Sequence, residues 1–116
     1  MIVLAIIVMN SVINANQNFT NRFKEDFYFE KYSDVAEAKA ALLELHPVGT
    51  DIAALRRTLE NAGAEEKSTY PSQVLYGYVQ NAESIFEFLW GVNINVDNPS
   101  SMKIENVSVS RMGTAK

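Results

Sequence analysis

Between Phe88 and Asp97 the chain alternates: Phe88, Trp90, Val92, Ile94 and Val96 are apolar, and Leu89, Gly91, Asn93, Asn95 and Asp97 interleave with them. Only an extended strand sends successive side chains to opposite sides. The run therefore predicts a strand with one face in a core and the other mostly polar. Two more strands are expected beside it. Val74 to Val79 lies upstream, and Met102 to Ser110 lies downstream of the turn-forming Asp97-Asn98-Pro99-Ser100-Ser101. In that last run the apolar parity shifts between Ile104 and Val107, which a bulge near Glu105 and Asn106 would explain.

Before the strands the period changes to that of a helix. Ser33 and Asp34 offer oxygens for the free N–H groups of a first turn, and Glu37 completes a box-like pattern from Asp34. Val35, Ala38, Leu42 and Leu45 then share one face, predicting a helix over 34–45. His46-Pro47-Val48-Gly49 stops it, because proline disfavours helix in the residue before it. Thr50 is the expected cap of a second helix over 51–62, with Ile52, Leu55, Leu59 and Ala62 on its apolar face and Gly63 free to take the left-handed end conformation. So short a connection implies a helical hairpin. Glu65 to Ser72 reads as a polar linker, and Arg111 to Lys116 as a tail that frays.

Residues Ile2 to Asn21 carry no charged side chain, and Ile2 to Met9 is uninterrupted hydrocarbon. A bilayer-spanning helix needs roughly 20 apolar residues, and Asn10, Ser11, Asn14, Asn16, Gln17 and Asn18 dilute the run well before that. A secretory signal fits better, with Ile13-Asn14-Ala15 as a tolerable cleavage site. Residues 1–15 are thus expected to be a signal peptide, forming a signal-like helix. The alternatives are an uncleaved N-terminal anchor, or a buried strand of the domain, since β-branched residues dominate the segment. Residues 16–33 form an aromatic lead-in: Phe19, Phe23 and Phe27 are spaced as on a helix, whereas 26–32 has the aromatic content of a short strand.

The 116 residues carry Lys+Arg 10 against Asp+Glu 14, a net charge of -4, with no cysteine and one histidine. That length suits one small domain. An absence of cysteine removes disulfides, thiol catalysis and most structural zinc. The acidic balance, without basic runs, excludes the clustered cations on which nucleic-acid binding depends. Neither a Gly-x-Ser-x-Gly nucleophile nor a Gly-rich phosphate loop is present, and no cofactor is expected. Asn18-Phe19-Thr20 and Asn106-Val107-Ser108 match the glycosylation pattern, which matters only in a secreting eukaryote.

Few residues carry candidate chemistry. His46, with Asp51 to orient it, could serve as a general base or metal ligand, making the chain a small hydrolase or metal-dependent enzyme. A histidine in the last turn of a helix is equally a favourable C-terminal residue. Glu65 and Glu66 are neighbours in a linker, not a spaced acid–base pair, and Asn93, Asn95 and Asp97 lack the glycine-turned loop of a calcium site. The stronger candidates are aromatic. Tyr76 and Tyr78 share one face of their strand; if Leu75 and Val79 face the helices, the tyrosines join Leu89, Asn93 and Asn95 on the open face as a protein-binding surface. In the other parity Tyr76 and Tyr78 enter the core beside Trp90, with their hydroxyls at its rim.

The order of leader, two short helices, linker and three-stranded meander, carried by His46-Pro47-Val48-Gly49-Thr50-Asp51, Gly63-Ala64 and Trp90-Gly91-Val92, resembles the small envelope proteins of the BamE (SmpA/OmlA) type and the β-lactamase-inhibitor-protein fold. The resemblance covers about 34–110. It implies an α+β fold, a helical hairpin packed on a three-stranded antiparallel β-meander, and the binding of another protein in the cell envelope. The expectation is a periplasmic or secreted, non-enzymatic interaction module, touching membrane only through residues 1–15 if these are uncleaved.

Overall fold

A computed structural model describes residues 25–81 and 86–115. The expected leader and the first part of the aromatic lead-in, including Phe19, Phe23 and the Asn18 glycosylation match, lie outside the described residues. The fold is α+β. Helix α1 (Val35–Leu45) and helix α2 (Ile52–Asn61) precede four strands: β1 (Glu65–Tyr70), β2 (Gln73–Asn81), β3 (Phe86–Val96) and β4 (Ile104–Ala115). The strands form one antiparallel sheet in the order β1-β2-β3-β4.

Local chemistry fixes the helix ends. The Asp34 carboxylate accepts from the Ala36 N–H at 2.7 Å and starts α1. At α2 the cap is Asp51, which accepts from the Ala53 N–H at 2.8 Å, and not Thr50, whose hydroxyl donates back to the Pro47 carbonyl at 2.6 Å. A carboxylate at that position also complements the helix dipole. At the end of α2, Gly63 has a φ of 97°. Its N–H bonds to the Glu60 carbonyl and that of Ala64 to the Leu59 carbonyl, the Schellman closure that glycine permits without strain.

Three expectations are corrected. The sheet has four strands, because Glu65 to Tyr70 is a strand and not a linker: it is an edge strand, exposed along nearly all its length, and so carries no apolar alternation. The tail does not fray at Arg111, since β3 begins at Phe86 and gives β4 paired partners to Ala115. Residues 26–32 hold no strand either. Phe29–Lys31 is a single 3-10 turn, and Phe27 and Phe29 are buried by ring packing, their centroids 5.2 Å apart edge to face. The bulge stands: Asn95 pairs with Asn106 and Val96 with Ile104, leaving Glu105 as the extra residue. It lets both Ile104 and Val107 be buried despite their odd separation.

The core lies between the helices and one face of the sheet. Ala38 and Leu42 from α1, Ile52, Leu55 and Leu59 from α2, and Val74, Tyr76, Trp90, Val92, Ile94 and Val107 from the strands are buried together. Phe29 roofs one end, stacked on Tyr78 at 4.5 Å and tilted against Trp90 at 5.4 Å. The join between the helices is sewn to the start of β4: the Gly49 N–H donates to the Ile104 carbonyl, and the Ile104 N–H to the Thr50 carbonyl, each at 2.8 Å.

Candidate functional site: the open face of the sheet

Pairing register decides which side chains share a face. Tyr76 is opposite Val92 and Tyr78 opposite Trp90, so both tyrosines stand on the helix side. Their relative exposures are 0% and 8%. Assigning Tyr76 and Tyr78 to an open binding surface is therefore corrected in favour of the core parity. Each phenol keeps a polar partner at the core's rim: the Tyr76 hydroxyl donates to Glu60 Oε2 at 2.9 Å, and the Tyr78 hydroxyl donates to Glu30. Burial, reinforced by the Glu60 bond and charge, pushes the Tyr76 phenol up to about 12. Trp90 is satisfied the same way, its Nε1 donating to Gln80 Oε1 at 2.9 Å.

The other parity faces away from the helices and carries Leu89, Asn93 and Asn95, as expected from the alternation of β3. With the tyrosines gone, its apolar content comes from Leu89 together with Leu75, Val79 and Met112, which were not expected there. Val79, Leu89 and Met112 are cross-strand partners and form one row over β2, β3 and β4. They are 48%, 37% and 61% exposed, and Leu75 on the same face is 36% exposed. The signal for Val79 and Leu75 was their shared parity with Gly77. Met112 gave none, because it fell in the supposed tail.

Beside this row runs a row without bulk, Gly77 opposite Gly91 and Gly91 opposite Ser110. The space is used by neighbours: a Cβ on Gly77 would meet Lys67 Cε at 2.9 Å, and one on Gly91 would meet Ser110 Oγ at 2.8 Å. The Lys67 stem thus lies along the sheet, its ammonium 3.4 Å from Glu65. Further along come amides and hydroxyls, with Asn93 opposite Ser108 and Asn95 opposite Asn106. Asn93 Oδ1 is shielded from solvent and, among the described residues, accepts no hydrogen bond. The face grades from apolar through flat to amide-rich.

His46 and Asp51, the residues of the rival centre, have separate partners. His46 Nε2 lies 2.6 Å from Thr58 Oγ1, tying α1 to α2, while Asp51 caps its own helix and sits 3.9 Å from Lys103 Nζ. Burial pushes the His46 imidazole below its ordinary range. A cavity of about 270 Å³ beside it is lined by Glu25, Asp26, Phe27, Leu45, His46 and Thr58. Among the described residues no three His, Cys, Asp or Glu side chains group to hold a metal ion. Glu66 pairs with Arg56 at 2.9 Å and Glu65 with Lys67, so the adjacent carboxylates have separate partners. Asp97 organises its turn, accepting from Ser101 Oγ and from the N–H groups of Asn98 and Lys103. These bonds, the Ser101 hydroxyl's foremost, hold its carboxyl below the usual range.

Among the described residues no helix is long and apolar enough to cross a membrane. Compared with known proteins, the chain matches no family model, no curated protein and no solved structure.

Proposed function

We propose that this protein is an exported, non-enzymatic interaction module that binds another protein in the cell envelope through the open face of its sheet. The observation that carries the reading is the row Val79, Leu89 and Met112, three exposed apolar side chains aligned across three strands on the face the helices leave bare. Scattered exposed apolar residues need no explanation, whereas an aligned row bordered by polar groups marks an interaction surface. Asn93 and Asn95 form the polar side of that surface, beyond the glycine row. Export is supported by the uncharged, apolar start Ile2 to Met9 and the Ile13-Asn14-Ala15 site.

A photo-crosslinking residue at Leu89, compared with one at Arg57 on the exposed side of α2, tests the surface in cells that naturally make the protein. The expected result is a discrete protein adduct from Leu89, absent from Arg57 and lost in Met112→Glu. Adducts equal at both positions, or absent at Leu89, would overturn the surface. N-terminal sequencing of the same material tests export separately: a start at Asn16 supports it, and a cytosolic protein retaining Met1 refutes it.

A further inference from the structure

The two edges of the sheet are built differently. The β1 edge is short, and its six residues begin Glu65-Glu66-Lys67, with a register break between Glu66 and Ser68. Charge, brevity and irregularity are the usual guards against unwanted strand pairing. The β4 edge has twelve residues, and from Asn106 to Ala115 its only charged side chain is Arg111. Its first residue is already covered, through the bonds of Ile104 with Gly49 and Thr50.

Among the described residues the rest of that edge has no neighbouring strand. In β3 the Val96 N–H points to Ser72 on the β2 side, so the backbone groups of Asn95, Asn93, Gly91 and Leu89 point to β4. Their partners are Asn106, Ser108, Ser110 and Met112. The alternation of an antiparallel ladder then turns the N–H and C=O groups of Val107, Val109, Arg111 and Gly113 outward. Among the described residues none of these four makes a backbone hydrogen bond on that side.

This edge runs into a cleft of about 480 Å³ lined by Ser33, Asp34, Val35, Phe88, Arg111 and Gly113. The Arg111 guanidinium lies 3.9 Å over the Phe88 ring and donates through Nη1 to the Ser33 carbonyl at 2.8 Å. Among the described residues Nε has no acceptor and no carboxylate lies within ion-pair distance of the group. The Asp34 carboxylate in the same cleft is turned to its own helix, accepting from Ala36. An oriented, stacked cation with unused donors suits a planar acid.

We infer that the outer edge of β4 takes up an extended segment of a partner protein as a fifth strand, with an acidic side chain opposite Arg111 in the cleft. Pairing puts the side chain opposite Arg111 on the helix side, where the guanidinium and the cleft are. Main-chain bonds to the four outward residues hold the segment, and the ion pair sets its register. This surface is separate from the open face and stands or falls without it.

The test uses the isotopically labelled full chain and a capped peptide, Val-Thr-Glu-Thr-Val, followed by amide chemical shifts. Saturable shifts are expected at Val107, Val109, Arg111 and Gly113, with the β1 amides unchanged. Replacing the peptide's Glu by Gln should weaken binding at least about fivefold, and Arg111→Gln should abolish the preference between the two peptides. No shift at millimolar peptide, equal binding of both peptides, or shifts centred on Leu89 would each overturn the inference. So would concentration-dependent shifts of the same four amides without peptide, which would make a second copy of the chain the occupant. Because the peptide's own Glu-to-Gln exchange leaves the protein intact, the result does not hinge on the folding of the Arg111 variant.

Discussion

The two faces of the central strands β2 and β3 are made from the same eighteen-odd positions of chain read in alternate parity, and they differ more in volume than in polarity. Toward the helices stand Val74, Tyr76, Tyr78, Trp90, Val92 and Ile94; away from them stand Leu75, Gly77, Val79, Leu89, Gly91 and Asn93. Both sets hold apolar residues. The helix side takes the bulk, because a core must be filled to close packing and each large polar-tipped ring can keep its hydroxyl or N–H bonded at the margin. The open side takes glycines, which leave it flat. A large aromatic residue therefore says less about binding than a medium apolar one held in line on a bare face.

Mutations sharpen that contrast. The largest effect is expected from Trp90→Ala, which empties a position 2% exposed and should cost about 3–5 kcal/mol in denaturant unfolding. Leu89→Ala, one residue along, should stay within about 0.5 kcal/mol. If the two cost the same, the faces are not what their register implies.

Tyr76→Phe comes next, at about 2 kcal/mol, because it removes a hydrogen bond to the charged Glu60. It also has a pH signature. The folded phenol titrates near 12 against 10.0 for the free group, so the folded state holds its proton more tightly and stability falls as pH rises above about 10. Unfolding curves between pH 9 and 11 should show a shallower alkaline loss in Tyr76→Phe than in the parent.

In the helix layer that covers this face, Thr58→Val should cost about 1 kcal/mol by leaving His46 without its partner. Since burial lowers the His46 pKa, the unfolded chain takes up that proton first on acidification, and stability falls as pH drops below about 6.5. Melting curves should show that acid-side loss reduced in His46→Gln. The smallest effect is expected at Gly77→Ala, where only the flexible Lys67 stem must move; the change in melting midpoint should be close to nil.

Much of the fold was legible because its signals are local. Asp34 and Gly63 mark helix ends by side-chain chemistry and backbone freedom, the alternation of 88–97 marks β3, and the parity slip before Val107 marks the bulge. What was illegible depends on partners distant in sequence. Glu65 to Tyr70 is a strand only because β2 offers its edge, and exposure on both sides erased any pattern of apolar residues. Arg111 to Ala115 is ordered by pairing with 86–90 and by the Ser33 carbonyl, seventy-eight residues from Arg111. The face of Tyr76 and Tyr78 was undecidable from hydropathy, since Leu75 and Val79 are equally apolar. Side-chain volume would have decided it: Gly77 shares the parity of Leu75 and Val79, and a core is poorly served by a position with nothing to contribute. Half of the candidate site, Leu89, Asn93 and Asn95, could thus be placed from β3 alone, whereas Val79 and Met112 required the register.

The stitch between the helix connection and β4 has a consequence in time. Gly49 and Thr50 bond to Ile104, and Ile52 to Met102, so the two helices are fastened to the sheet by residues some fifty positions later in the chain. A loop of that span is slow to close, and it cannot close at all until residues 102–104 have been synthesised. Until then the helix layer lacks the bonds that tie Gly49, Thr50 and Ile52 to Met102 and Ile104. If the chain is exported, as proposed above, that order keeps the helix layer unlocked from the sheet, and so open to threading, until residues 102–104 have been made.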